Sequence, residues 1–475
     1  MSDFSPMMRR ISNNKCPKIK IPRKGRIRFL LIILLAAAAF KFGGALLVSG
    51  AQDSNAADSS LKKVNQSVEK KENPPAISKS DNQISFSEMA NILKQSSSGI
   101  SEYKDTIDNH GDTLVYHFSI DSSLQKLGNL LLKRYKPLYG AIIAIQPVSG
   151  RVLSIVSYKN DSVCDLGNLS FRSIFPAASI YKTITAAAAI EEASFNAQSM
   201  VKHAGRNHTL YKFQLEKELE QFNEITFEKA YAMSINPVFA RIGMYSVGKS
   251  ALENFSQKFA FNTAIPFELD VEMSHTGACD SLFELAELAS GFNQQTTLSP
   301  LHGALMASAI SEDGKMPYPF LVDSVTRNDS CIYKAQNRVW RTPIKKHTSE
   351  ELRKMMSGVA SYGTARKSFK YIRQSPRFDN IEYGGKTGSV DKDSIGRVDW
   401  FIGFARDSVD PNQRIAVGVV TAHGAFWTVH SSFIAAEYFR YYLKSIQDLQ
   451  KKEQEQKKTV SCDSTAKKMN QRDQL

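Results

Sequence analysis

The chain has 475 residues, 42% hydrophobic and 23% charged, a globular composition that excludes a disordered or fibrous protein. Its formal net charge of +14 would suit an acidic partner if it were spread over the folded part. Instead residues 1–28 carry a net +8 and residues 448–475 a net +2, which leaves +4 between them and removes most of the case for nucleic acid.

Behind the basic leader, 29-FLLIILLAAAAFKFGGALLVSG-50 supplies about the 20 apolar residues needed to cross a bilayer, with positive charge on the side that stays in the cytoplasm. The pattern predicts a basic cytoplasmic leader over 1–28, a transmembrane anchor over 29–49 and an exported remainder. Lys41 leaves only Phe29 to Phe40 uninterrupted, a length also found in signal-peptide cores, and the small residues from Ser49 to Ala51 would suit cleavage. An uncleaved anchor is preferred, because the leader is long and Lys41 can snorkel to the outer interface. The expected location is the cytoplasmic (inner) membrane, single-pass, with the folded domain on the periplasmic or extracellular face.

The next stretch is rich in Ser, Asn, Gln, Lys and Asp and poor in aromatics, so 50–111 reads as a polar tether with a short helix near Phe86 to Lys94. A folded domain is expected over 112–449. It opens with a strand through Leu114 to Ile120 and an amphipathic helix in which Leu124, Leu127 and Leu131 share one face. A hairpin follows, 140-GAIIAIQ-146, the turn 147-PVSG-150 and 151-RVLSIVSY-158. Residues 195–375 read as mostly helical with loops. Three closely spaced strands, 382-EYGGKTGSV-390, 398-VDWFIGFA-405 and 414-RIAVGVVTA-422, precede a helix over 430–449, and 450–475 reads as a charged flexible tail. Strands at both ends with helices between predict an α/β fold of the α+β type, a central antiparallel sheet flanked by helices and preceded by one transmembrane helix.

Cys16 lies on the cytoplasmic side, so at most Cys164, Cys279, Cys331 and Cys462 could pair. No Cys-x-x-Cys pattern exists, and unpaired cysteines are the preferred reading over a Cys279–Cys331 bridge. The nine histidines show no His-Glu-x-x-His spacing, so no metal or other cofactor is expected.

The helix in 175-FPAASIYKTITAAAAIEEA-193 is built for burial, yet it carries Lys182 three residues after Ser179. That spacing puts the two on one face, and a buried lysine loses basicity until it can take a proton from the serine. Ser-x-x-Lys alone is a weak pattern, since Ser59/Lys62, Ser67/Lys70 and Ser123/Lys126 share it in polar surroundings. Two further motifs strengthen it. The segment 231-YAMSINPVFARIG-243 offers Ser234 and Asn236, and 384-GGKTGS-389 offers Lys386, Thr387, Gly388 and Ser389 on a strand. An Asn before Pro is more often a turn, and Lys-Thr-Gly more often a strand end. The ordered set Ser-x-x-Lys, Ser-x-Asn, Lys-Thr-Gly is specific to penicillin-binding proteins and class A β-lactamases.

On these motifs the chain resembles the penicillin-binding transpeptidase domain. So do 118-FSIDSSLQ-125, 143-IAIQPVSGRVLSIVS-157, 296-TTLSPLHGALMASAISEDGKMPYPFLV-322, Gly363-Thr364-Ala365 and 400-WFIGFA-405, whereas 288-LASGFNQQ-295 matches poorly. The resemblance covers about 112–449, without a glycosyltransferase or large pedestal domain. It implies Ser179 as acylated nucleophile, Lys182 as its base, Ser234 as proton relay and Asn236 as a partner of the substrate amide. Lys386, Thr387, Gly388 and Ser389 would form the substrate wall that holds a terminal carboxylate, with the backbone N–H groups of Ser179 and Ser389 as oxyanion hole. The implied activity is a membrane-anchored D,D-transpeptidase acting on peptidoglycan stem peptides, with β-lactams as covalent inhibitors and other cell-wall synthesis proteins as partners. A D,D-carboxypeptidase, a β-lactamase and a non-catalytic β-lactam sensor or scaffold remain alternatives. The sequence offers no dedicated deacylating carboxylate: Glu191 and Glu192 lie about three turns beyond Ser179.

Overall fold

Asp121 caps the first long helix of the domain, accepting the backbone N–H groups of Ser123 and Leu124, and the helix α1 (Ser122–Tyr135) ends where Lys136 turns left-handed at φ 47°. Its Leu124, Leu131 and Leu132 are buried and Leu127 is partly buried, which gives the predicted apolar face. The computed structural model describes residues 83–95, 104–109 and 112–472, with side chains to residue 452. The leader, the apolar segment 29–49 and most of the polar segment lie outside the described residues. Among the described residues no helix is long and apolar enough to cross a membrane.

The centre is a five-stranded antiparallel sheet made by both ends of the domain. The hairpin β1 (Tyr139–Ile145) and β2 (Val152–Lys159) joins the meander β3 (Ile381–Lys392), β4 (Gly396–Asp407) and β5 (Arg414–His423) in the order β3-β4-β5-β1-β2. Side-chain alternation assigns the two faces. Ile402 and Gly418, opposite each other in register, meet helix α6 (Pro300–Ser311), and a Cβ on Gly418 would fall 2.1 Å from the Pro300 carbonyl. Phe401, one position along, turns the other way, to Phe369 and through it to Phe439 of α8 (Ser431–Arg472). Every residue of α6 is buried, so it is the central helix of the domain.

The remaining helices that shape the site are α2 (Lys182–Glu192), α3 (Phe227–Ala232), α4 (Asn236–Ile242), α5 (Leu282–Ser290) and α7 (Lys346–Ser361). Glu191 closes the start of α7, accepting from the Lys345 N–H at 2.7 Å and the Thr348 hydroxyl at 2.9 Å. That contact occupies the carboxylate nearest Ser179 in sequence with a structural task.

Three features differ from the sequence-based expectation. First, folded chain begins upstream of residue 112: helix Phe86–Gln95 buries Met89 and Leu93, and strand Lys104–Asn109 pairs with Asp112–Phe118. The helix is the one expected near Phe86 to Lys94; polar composition hid its docking and the strand, because one apolar face of a short helix is enough to dock it. Second, the middle is not only helical, since Val322–Arg327 and Ser330–Lys334 extend that small sheet to four strands. Third, α8 continues through residue 472, far past 449, as Lys, Gln and Glu are strong helix formers. Cys279 and Cys331 are free, as preferred, whereas Cys164 is disulfide-bonded.

Candidate active site

Ser179 is not in the α-helix itself but in the 3₁₀ turn Ala178–Tyr181 that leads into α2. In a 3₁₀ turn, positions three apart eclipse, which brings Ser179 and Lys182 together more directly than α spacing would. Ala178, immediately before the serine, has φ 49°, a strained conformation for a residue with a Cβ. The strain is held by neighbours on both sides. Trp400 of β4 donates its indole N–H to the Pro176 carbonyl at 2.9 Å, and Gly291, at φ 65°, lies so close that a Cβ there would be 2.0 Å from the Ala178 carbonyl.

Lys182 is fully buried, and its Nζ donates to Ser179 Oγ at 2.7 Å, Asn236 Oδ1 at 2.7 Å and the Ser290 carbonyl at 2.6 Å. Among the described residues no carboxylate pairs with it; the Phe239 ring lies 5.8 Å from Nζ. Burial, and then the nearby Lys386, hold its pKa well below the ordinary lysine range. Desolvation thus favours the neutral amine, whose lone pair can take the serine proton.

Lys386, on β3, is the second fully buried lysine of the site. Its Nζ donates to Ser234 Oγ at 2.9 Å and to the Thr387 carbonyl at 2.9 Å, 5.4 Å from the Tyr231 ring centroid. Burial pushes its pKa down to about 7. Ser234, between α3 and α4, sits at φ 55°, the second left-handed residue of the site that is not glycine, with its hydroxyl turned to Lys386. Gly388 carries β3 past the nucleophile turn: a Cβ there would meet the Ala177 carbonyl and the Ile180 nitrogen at 3.2 and 3.3 Å. Thr387 Oγ1 lies 2.6 Å from Thr364 Oγ1, and Ser389 Oγ donates to Asp399 Oδ1 at 3.2 Å.

The structure therefore places Ser179, Ser234, Asn236, Thr387, Gly388 and Ser389 around one cleft of about 730 Å³, with Lys182 and Lys386 buried beneath it. It also adds residues that sequence reasoning missed. Segment 288–295, set aside for its poor match, provides the Ser290 carbonyl to Lys182 and Gly291 beneath Ala178. His208 lines the cleft, its pKa lowered by burial and by Lys182. Asp399, Trp427 and His430 line the mouth. Spacing could not reveal a backbone carbonyl or a loop histidine, nor the role of Asp399, which comes to face Ser389 only through strand register. Among the described residues no group of three or more His, Cys, Asp or Glu is placed to hold a metal ion.

Peptidoglycan D,D-transpeptidase PbpA of Mycolicibacterium smegmatis is 24% identical over 325 residues, 61% of this chain and 62% of that protein. Stage V sporulation protein D of Bacillus subtilis is 24% identical over 340 residues, 66% of this chain and 50% of that protein. The match thus spans less than two thirds of these relatives' length. In fold, the chain is similar to penicillin-binding protein A of Mycobacterium tuberculosis, solved also as a penicillin G acyl-enzyme (TM-score 0.54, 21% identity, 70% of this chain and 80% of that chain). It is similar too to the D,D-transpeptidase domain of a peptidoglycan glycosyltransferase from Eggerthella lenta (TM-score 0.58, 22% identity, 70% and 84%). The family model of the penicillin binding protein transpeptidase domain matches residues 140–444, more than half of the chain and all of the cleft's three motifs, so the chain belongs to the penicillin-binding protein transpeptidase family.

Proposed function

We propose that this chain is an acyl-serine D,D-transpeptidase that cross-links peptidoglycan stem peptides. The observation that carries the reading is the buried Lys182 amine 2.7 Å from Ser179 Oγ, with burial favouring its neutral form. In the acylation step Lys182 takes the Ser179 proton as Oγ attacks the carbonyl carbon of the D,D-peptide bond. Backbone N–H groups of Ser179 and Ser389 receive the developing oxyanion. Ser234, bonded to Lys386, passes a proton to the leaving amine as the peptide bond breaks. Asn236 orients the substrate amide, while Lys386 and Thr387 hold the terminal carboxylate beside Gly388 and Ser389. An acceptor amine then attacks the ester carbonyl, gives its proton to Ser234 to replace the one passed on in acylation, forms the new peptide bond and releases Ser179, which recovers its proton from Lys182.

The same site takes β-lactams as covalent inhibitors. Residues 29–49 would anchor the protein in the cytoplasmic membrane, which places the cleft outside the cytoplasm beside its substrate and other cell-wall synthesis proteins. The direct test is turnover of a synthetic pentapeptide stem by the full protein with an added amine acceptor. Amide product is expected. Hydrolysis alone would make the enzyme a carboxypeptidase, and no turnover would make the site a sensor or scaffold.

A further inference from the structure

The strand wall carries a polar ladder that acylation leaves unused. Ser389, Asp399 and Thr421 stand opposite one another across β3, β4 and β5, on the face that meets the start of α8. Besides the Ser389 hydroxyl, the buried Asp399 carboxylate accepts the Ser431 N–H at 2.7 Å, and Ser431 Oγ donates to the Asp399 carbonyl at 2.8 Å. An ionised carboxylate can only accept, so the Ser389 proton points at Asp399 and away from a ligand. Thr364 and Thr387, bonded to each other, keep one hydroxyl proton between them to give. A carboxylate laid along β3 thus meets fewer hydroxyl donors than the residue types suggest, and a negative charge behind them.

His430 supplies what is missing. Its Nδ1 lies 3.7 Å from Asp399 Oδ2, its side chain is 62% exposed, and it lines the cleft. The Trp427 ring packs against it at a centroid distance of 4.8 Å and against His423 at 5.3 Å. The Asp399 carboxylate raises the His430 pKa against the lowering effects of partial burial and Lys367. Other charged groups at this mouth oppose or cancel. Arg397 is paired with Asp391 at 3.0 Å, and burial pushes the His423 pKa down to about 4, so that ring stays neutral.

We propose that His430, positioned by Asp399, is a specificity residue: its imidazolium receives the carboxylate of a ligand lying along β3, in place of the hydroxyl donor that Asp399 withdraws from Ser389. This rests on the acyl-serine reading of Ser179, and the test separates the two. Covalent labelling rates of the full protein would be measured with penicillin G and with its methyl ester, which lacks the charge, at about pH 6 and about pH 9. The readout is the acid-to-ester preference of wild type, His430→Gln and Asp399→Asn.

At low pH the preference of His430→Gln is expected to be roughly three- to tenfold below wild type, the size of a half-exposed charge-assisted hydrogen bond. At high pH, where the imidazole is neutral, the two proteins should agree within about twofold. Titration of Lys386 is common to both and cancels. Asp399→Asn frees the Ser389 proton and removes the opposing charge, so its preference at high pH should exceed wild type. Equal preferences of wild type and His430→Gln at low pH, an equal loss at both pH values, or no gain in Asp399→Asn would overturn the inference. Failure of both ligands to label Ser179 would instead overturn the acyl-serine reading on which it rests.

Discussion

The two walls of the cleft treat charge in opposite ways. The helical wall buries the Lys182 amine with no carboxylate paired to it among the described residues and fills three directions around its nitrogen with Ser179, Asn236 and the Ser290 carbonyl. The strand wall sets half-open groups, Thr387, Ser389 and His430, against a compensating carboxylate, Asp399. Desolvation shapes the first wall, so its chemistry depends on being dry and rigid. Charge pairing shapes the second, so its recognition depends on pH and on what the ligand carries. Damage to the first should cost rate at constant fold, and damage to the second should change which ligand is preferred.

The largest expected effect lies in the helical wall. Lys182→Ala should slow acylation by penicillin about 10²- to 10⁴-fold, the worth of general-base assistance, with the adduct still on Ser179. Stopped-flow or quenched labelling checks it, and a rate within a few-fold of wild type would remove Lys182 from the role of base.

Gly291→Ala comes next. The new Cβ would lie 2.0 Å from the Ala178 carbonyl at φ 65°, so the nucleophile turn must shift. A stability loss of roughly 1–3 kcal/mol is expected from the strain, together with slowed acylation. Thermal melting and labelling rates on one preparation check both. Unchanged values would mean that segment 288–295 merely passes by.

The pH profile is the gentlest probe. Both lysines have folded pKa values below the ordinary lysine value, Lys386 at about 7. Lys182 must be neutral to accept a proton, so the second-order acylation rate should rise with pH through its depressed pKa. Lys386 must be charged to attract a carboxylate, so the rate should fall again as pH passes about 7. The limbs belong to a coupled pair, each lysine opposing the other's charge. The falling limb should weaken with the methyl ester, whose binding does not require that charge. A falling limb of equal depth for acid and ester would detach Lys386 from carboxylate recognition.

What the sequence made legible follows the same division. The motif residues announce themselves because each chemistry needs a particular side chain at a short local spacing. The central sheet was equally readable, since β1, β4 and β5 are long buried runs. The small sheet was not, because Val322–Arg327 and Ser330–Lys334 are partly exposed and only the first of them, pairing with a strand some 200 residues away, ties their hairpin to the sheet. Ser290 and Gly291 act through a carbonyl and a backbone angle, which leave no side-chain pattern. Asp399 gains its meaning only from register, opposite Ser389 on the neighbouring strand. The strained φ of Ala178 was invisible for the same reason: the fold imposes it from both flanks.

The acyl-serine chemistry is tested most directly by the fate of Ser179. Full protein incubated with penicillin G and followed by time-resolved intact-mass spectrometry should gain one adduct, mapped to Ser179 and persisting for many minutes. Persistence is expected because, among the described residues, the carboxylates that line the cleft are already committed, Asp399 to Ser389 and Ser431 and Asp391 to Arg397. Ser179→Ala, with an unchanged melting temperature, should gain none. An adduct that survives in Ser179→Ala would contradict the assignment of the nucleophile, and loss of the wild-type adduct within seconds with release of hydrolysed penicillin would make the protein a β-lactamase.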